Sequence, residues 1–550
     1  MIDIPVVIVG GGPVGLALAT DLGWRGVQCL LIEQNSEEIG PAKMMVASIR
    51  TMEICRRLGC ADDVRNWGFP PGFSLDNVFV TNLNGYEIGR IKMPTMGQPY
   101  YPPSSPEAQM HCPQTWFDPI LRNRARSFSS VEMRFRTRFE SYVQDEDGVT
   151  IELRARDTDR LERVRAKYLV GCDAYASRVR ALMGVEMHGD HVLDHSINIE
   201  VRIPHLSSFH DKGDAGRYVF IGSEGTWATF VAINGVDTWR ITLYGANEID
   251  VKAIDVDAAI RRILEKPFPY EIIHVGHWVR RAVVADRFGD GRVFVAGDAA
   301  HTLPPNGGFG MNAGIADAAD LAWKLAAAVE GWGAARLLES YDIERRPVGV
   351  RAVEEARMNY MRLVNATRFP EIEEENDAGQ NVRRFLGERL TQENAKSWQP
   401  VGIHLGYSYD PSPVVIPDGS PRPVDDLVGY EPTARPGSRA PHAWLPDGRS
   451  TLDLFGRGFT LLSFGADETA IAALHTCAEA LSVPLNVERI ENGEIATLYG
   501  RRLVLVRPDG HVAWRADVVP RDARALLNRV RGADQPDVHL RLPIHASGQA

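Results

Sequence analysis

Residues Ile4 to Val9 form an apolar run rich in Val and Ile that ends on Gly10-Gly11-Gly12-Pro13-Val14-Gly15. Such a run suits a strand buried on both faces. Val14–Leu22 then reads as a helix packed through small residues, and Cys29–Ile32 as a second buried strand ending in Glu33. Strand, glycine turn, helix and strand make a βαβ unit, so the chain begins with a dinucleotide-type sheet. Gly10 allows the tight turn, Gly12 lets backbone approach a pyrophosphate, and Gly15 lets helix and strand pack closely. Pro13 and Val14 open the helix, whose free amides and dipole favour an anion. Glu33 is placed to hydrogen-bond ribose hydroxyls. The motif binds a dinucleotide; by itself it does not separate FAD from NAD.

The 550 residues suffice for three to four units, at about 150 residues each. After Phe73 the pattern changes to short segments broken by Gly and Pro, and strand candidates recur at Ile199–Ile203, Tyr218–Ile221, Thr229–Ile233 and Trp239–Tyr244. Asn234-Gly235 between the last two is a hairpin signal. A mostly antiparallel sheet domain is therefore inserted in two pieces, while Tyr168–Gly171 and Arg292–Ala296 continue the first domain as buried strands. Asn312–Val329 reads as a buried helix, and Ala352 to about Lys396 as charged helix. Pro411, Pro413, Pro417, Pro421, Pro423, Pro432, Pro436 and Pro441 exclude regular helix or central strand and mark a connector. Phe459–Phe464, a helix near Ala470–Leu481, Leu503–Val506 and Val512–Trp514 then make a small α/β unit. The expected division is 1–73, 113–188 and 286–400 for the dinucleotide-binding domain, with 74–112 and 189–285 as the inserted sheet domain. Residues 401–434 are the linker and 435–550 the last unit.

Composition removes several function classes. Lys+Arg 61 against Asp+Glu 72 gives a net charge of −11 without long like-charge blocks, which speaks against a nucleic-acid partner. The six cysteines (Cys29, Cys55, Cys60, Cys112, Cys172, Cys477) show no CxxC spacing, and the fifteen histidines show no HExxH. No structural disulfide and no metal site are expected. No apolar run reaches the length of a membrane span. The N-terminus enters a strand almost at once, leaving no room for a signal peptide. A cytoplasmic protein is expected.

A second constellation runs from Gly291-Arg292-Val293-Phe294-Val295-Ala296-Gly297-Asp298-Ala299-Ala300-His301 to Pro304-Pro305-Asn306-Gly307-Gly308-Phe309-Gly310-Met311-Asn312. It closely resembles the flavoprotein aromatic hydroxylases, the family with the p-hydroxybenzoate hydroxylase fold. The resemblance implies FAD, with Asp298 on the ribityl chain and the Gly310, Met311 and Asn312 amides facing the flavin ring at a helix N-terminus. Lys43 to Arg50 resembles the segment that covers the flavin, with Lys43 where the family usually has Arg, a change that keeps charge but loses the bidentate fork. Pro113-Gln114 resembles the family's cofactor-contacting Gln, and Tyr168 to Ala174 its Asp-Gly motif, with Asp173 the acid and Ala174 in place of Gly. Asp317–Leu325 and Tyr341–Pro347 also match and are assigned to packing and helix boundaries. Ala434–Pro441 and Val504–Gly510 resemble the thioredoxin-like extension of the phenol hydroxylase branch. Cys477 is that unit's only cysteine, so dithiol exchange is not available to it.

The resemblance implies a monooxygenase that hydroxylates a phenolic substrate with O₂ and NADPH or NADH through a flavin C4a-hydroperoxide. The inserted sheet is expected to roof the pocket. Strand alternation puts Arg240, Thr242 and Tyr244 on one face, where Arg240 would stabilise a phenolate and Tyr244 relay its proton. Met45 is expected in an apolar wall, Asn198 and His195 near the ring, and the Pro305 carbonyl facing the reacting position by family analogy. An FAD-dependent reductase or dehydrogenase without oxygen transfer stays open, as does a non-enzymatic flavin-binding interaction protein. A homodimer is left open as the oligomer.

Overall fold

The computed structural model describes residues 2–38, 40–41, 43–246, 254–365, 368–398 and 400–533. The apolar runs read from the sequence become adjacent parallel strands in the order Val293–Val295, Leu161–Gly171, Ile2–Val9 and Cys29–Ile32, and Val131–Arg134, not read from the sequence, adds a fifth beside Cys29–Ile32. Val6, Val7, Ile8, Leu30 and Leu31 are fully buried, as strands covered on both faces must be. The helices Pro13–Arg25 and Phe309–Glu330 pack on this sheet. The strands Thr137–Gln144 and Val149–Ala155 extend it in antiparallel fashion.

The second large sheet has the order His301–Thr302, Glu271–Ala285, Met187–Arg202, Thr238–Ala246, Gly225–Ala232, Arg217–Gly222, Asn77–Val80 and Glu87–Ile91. All its pairings are antiparallel except that of Arg217–Gly222 with Asn77–Val80, which joins the two inserted pieces. Period-two alternation divides its faces. Tyr218, Phe230, Trp239 and Ile199 enter an apolar core closed by Ile260, Ile263 and Leu264 of the helix Val256–Leu264. Arg217, Val231, Arg240 and Glu200 lie in one transverse row on the other face, each opposite the next. That polar face turns toward the dinucleotide domain, where Val231 packs against Met45.

The charged stretch after Ala352 is two helices, Ala335–Asn365 and Asp377–Trp398, separated by a short turn at Pro370–Glu373. Pro370 lacks a backbone donor and disfavours helix at Phe369, which is extended, so the two helices do not run together across this point. The last unit is a four-stranded sheet, Leu485–Arg489, Phe459–Ser463, Leu503–Val506 and Val512–Ala516. The helices Glu468–Ala480 and Ala523–Val530 cover it, and its Phe459 packs on Trp323 and Trp332. Arg507 reaches across to Glu344 (2.6 Å) and Asp320 (2.9 Å), while Lys324 binds the same two acids at 2.6 and 2.7 Å. All four side chains are shut off from solvent. Arg439 of this unit likewise pairs with buried Glu53. All six cysteines are unpaired, Cys477 half-buried in its helix.

Candidate active site

The glycine turn has the shape a pyrophosphate needs. Gly10 stands at φ 111, and a Cβ there would strike the Cys172 carbonyl, while one at Gly15 would strike the Gly10 carbonyl. Gly12 caps the helix, and nothing lies within 4 Å of where its Cβ would stand. The free amides of the helix's first turn, Val14 among them and Pro13 excepted, thus lie at the positive end of a helix beside open space. Glu33 ends its strand beside this turn, its Oε2 accepting from the Gly11 amide at 2.8 Å. Asp173 accepts from the Arg178 and Val179 amides at 2.8 and 3.2 Å and so caps the next helix. Its second oxygen is buried without a partner among the described residues. Ala174 beside it stands at φ 63.

Asp298 sits in the tight turn after the strand Val293–Val295. Its surface is open to solvent, yet protein closes round it closely enough that desolvation raises its carboxyl, against the pull of His301 and Lys43. Both observations follow from an acid on the floor of an open cleft, a fitting place to meet polyol hydroxyls. Asp317 braces that turn, holding His301 Nε2 at 2.7 Å, the Gly297 amide at 3.1 Å and Arg345 Nε at 2.8 Å. Burial would raise its carboxyl, but His301 and Arg345 hold it at about 2. Asp317, assigned from the sequence to packing, therefore shapes the cofactor turn.

Gly310 and Met311 lie in the first turn of the helix Phe309–Glu330, where amides have no intrahelical partner. Asn312 does more than offer an amide. Its Oδ1 accepts from the Ser48 amide (2.8 Å) and Thr51 Oγ1 (2.6 Å), and its Nδ2 donates to the Val46 and Gly308 carbonyls. One side chain thus ties the covering segment to the helix end. Lys43 and Gln114 meet, the Lys43 amide donating to Gln114 Oε1 at 3.3 Å. Gln114 is oriented in turn by Asp118, at 2.9 Å, whose carboxyl burial pushes up to about 7. These residues fit FAD: a glycine cradle at one end, an acid in mid-cleft, and helix amides at the other.

Beside this cleft lies a cavity of about 120 Å³ whose wall includes Met45, Val46, Met93, His111, Arg217 and Val231. His111 pairs across from Val46 in a two-stranded ladder, and burial brings its imidazole down to about 4. Met45 thus stands in the wall. Arg240 is one strand further in, close enough to Arg217, Tyr244 and Arg280 to feel their charge. Tyr244 lies on that face with its ring 4.3 Å beneath Arg280 and its hydroxyl 3.4 Å from Thr229 Oγ1. Asn198 and His195 are not among the residues that line the cavity, although Asn198 shares the face of Arg240. Asn198 accepts from Thr242 at 2.7 Å, and His195 meets His277 at 2.9 Å near the sheet surface. The Pro305 carbonyl accepts from the Gly308 amide at 3.0 Å. Sequence reasoning missed Arg217 and His111; the signal for Arg217 is a lone cation opening an otherwise apolar strand.

Residues 3–356 match the family described as FAD binding domain, and residues 433–533 the family described as aromatic-ring hydroxylase, C-terminal. A 4-methyl-5-nitrocatechol 5-monooxygenase from a Burkholderia sp is 32% identical over 558 residues, covering 96% of this chain and 96% of that one. The rebeccamycin biosynthetic enzyme RebC, solved with reduced flavin, matches at a TM-score of 0.90 and 38% identity, over 97% of this chain and 99% of that one. The flavin-dependent monooxygenase PieE, solved in complex with FAD and substrate, matches at 0.88 and 31% identity, over 97% and 100% of the two chains. Matched in its cofactor domain, its terminal unit and its fold from end to end, the chain belongs to the FAD-binding aromatic-ring monooxygenases.

Proposed function

We propose that this protein hydroxylates a phenolic ring bound in the cavity beside Met45, consuming O₂ and NADPH or NADH. The observation that carries the reading is a shared wall. The segment Met45–Val46 lines the cavity, and Asn312 ties that same segment to the helix whose first-turn amides end the FAD cleft. A space of about 120 Å³ suits a single aromatic ring.

Bound FAD supplies hydride acceptance and O₂ activation. In balance, phenol, O₂, NAD(P)H and one proton become a dihydroxylated ring, water and NAD(P)⁺. The chain's own share is positioning and electrostatics. The Gly310 and Met311 amides, free in the first turn of their helix, would stabilise negative charge on the reduced flavin. Met45, Val46, Ile49 and Met93 keep water from the reacting centre. Neutral His111 and cationic Arg217 provide the cavity's polar edge and orient the ring. Six unpaired cysteines suit a reducing compartment, consistent with a cytoplasmic site of action.

The test is turnover of a phenol panel under ¹⁸O₂ with NADH and NADPH. One labelled oxygen per product ring, with matched nucleotide consumption, is expected. Nucleotide oxidation that leaves every phenol unlabelled would overturn the reading in favour of a reductase.

A further inference from the structure

We propose that Asp118 is a positioning residue for the FAD site: through Gln114 it fastens the covering segment beside the cleft, and protonation of its carboxyl unfastens it. The proposal needs only that the chain binds FAD, whichever ring it hydroxylates.

A short ladder holds the covering segment along one side. Ala47 pairs with Met110 and Val46 with His111. The Cys112 amide then donates to the Met45 carbonyl at 2.9 Å, and the Gln114 amide to the Met44 carbonyl at 3.1 Å. At Gln114 the helix Gln114–Arg126 begins and the backbone leaves the ladder. A side chain makes the next rung, the Lys43 amide donating to Gln114 Oε1 at 3.3 Å. A carboxamide has two unlike ends, Oε1 accepting and Nε2 donating. Gln114 Nε2 donates to Asp118 Oδ2, one helical turn further on, at 2.9 Å. Turned over, the carboxamide would set Nε2 against the Lys43 amide and Oε1 against the carboxylate, two repulsive contacts. An ionised Asp118 therefore selects the orientation that makes the rung.

Protonation reverses that preference. Asp118 is buried, and its Oδ1 has no hydrogen-bond partner among the described residues. A proton on Oδ1 would find no acceptor there, whereas one on Oδ2 is accepted by Gln114 Oε1 once the carboxamide turns over. The Lys43 amide then meets a donor, and the rung is lost. Two cations act on the carboxyl, Arg122 from the same helix and Lys43 from the covering segment. Cys112, at the end of the ladder, stays a thiol because burial, with Asp118 adding to it, pushes its ionisation up. Burial outweighs both cations and pushes Asp118 up to about 7, so the rung is fastened above neutrality and released below it. Lys43 is also near enough to Asp298 to act on that carboxyl, which ties the released rung to the acid in mid-cleft.

The experiment titrates apoprotein with FAD at a series of pH values between about 6 and 8, one unit either side of the Asp118 value, read by quenching of flavin fluorescence. Wild type is expected to bind FAD about three- to tenfold more weakly at the acid end, tenfold being about the most that one such carboxyl contributes over that span. Asp118→Asn, which has no carboxyl to ionise, should bind with an affinity that does not vary across the range. Gln114→Leu keeps the carboxyl but lacks the rung, and its affinity should be equally flat. A merely structural role for Asp118 would lower affinity at every pH and leave the slope in place. Wild-type affinity that is flat across the range would overturn the proposal. So would either variant, folded with a native thermal midpoint, that keeps the wild-type slope. Should Asp118→Asn fail to fold, the wild-type and Gln114→Leu profiles decide by themselves.

Discussion

Ala174 stands at φ 63, in the left-handed region where a β-carbon crowds the following carbonyl. Its methyl is exposed, so packing returns nothing for the strain. Ala174→Gly should therefore stabilise the holoenzyme by about 0.5–1 kcal/mol even after glycine's extra chain entropy. Thermal unfolding reads this directly, and an unchanged or lower midpoint would mean that the turn relaxes around the methyl. The departure from the family's glycine was visible in the sequence, but its sign depends on φ, which residue types do not state. Asp298 is a contrasting case, legible from its motif because a strand end followed by Gly-Asp is a local pattern. Asp298→Ala should weaken FAD binding about 10- to 100-fold through loss of charge-assisted hydrogen bonds. Titration of apoprotein with FAD measures it, and an unchanged dissociation constant would move the ribityl chain elsewhere.

Elements meet through a small number of side chains, and Asn312 serves the segment Val46–Thr51 and the helix Phe309–Glu330 at once. Asn312→Ala leaves the buried Ser48 amide and Thr51 hydroxyl without their acceptor, at a cost of about 2–3 kcal/mol. Denaturant midpoints should fall accordingly, and limited proteolysis should speed up around Lys43. Unaltered cleavage there would show that the segment is held by other contacts. Strands and helices were readable because their hydrophobic periods are local. The transverse row of Arg217, Val231 and Arg240 was not, because it depends on register between strands far apart in sequence. Alternation within Trp239–Tyr244 placed Arg240, Thr242 and Tyr244 on one face, but not which neighbouring strand would bring Arg217 beside it. Asn198, opposite Thr242, does share the face of Arg240 and Tyr244, while His195 meets His277 near the sheet surface; neither lines the cavity.

At the scale of the molecule, the terminal unit is joined to the cofactor domain by buried charge. Arg507→Met would leave Asp320 and Glu344 with Lys324 as the remaining cation of that group. Removing one partner of a buried network costs about 3–5 kcal/mol, so unfolding should begin at markedly lower temperature. A shift of a degree or less would mean that water takes the arginine's place. Acid should also loosen this junction through His511, which packs on Tyr409 and which burial brings down to about 4 from an ordinary 6.5. Between those values the unfolded chain takes up a proton that the folded chain refuses, so stability falls as pH falls through this window. His511→Phe removes that proton and should flatten the stability–pH slope between pH 6.5 and about 4, by about 1.4 kcal/mol per pH unit. Parallel slopes for wild type and variant in denaturant titrations would place the acid sensitivity elsewhere.

The Arg507 junction also bears on inheritance. Glu344, Asp320 and Lys324 are encoded in the cofactor domain, and the arginine that completes them far downstream. Recombination between two relatives that falls in the proline-rich connector separates lock from key. Shuffled offspring should therefore keep a stable junction only when both parents carry a compatible combination of acids and base at these distant positions.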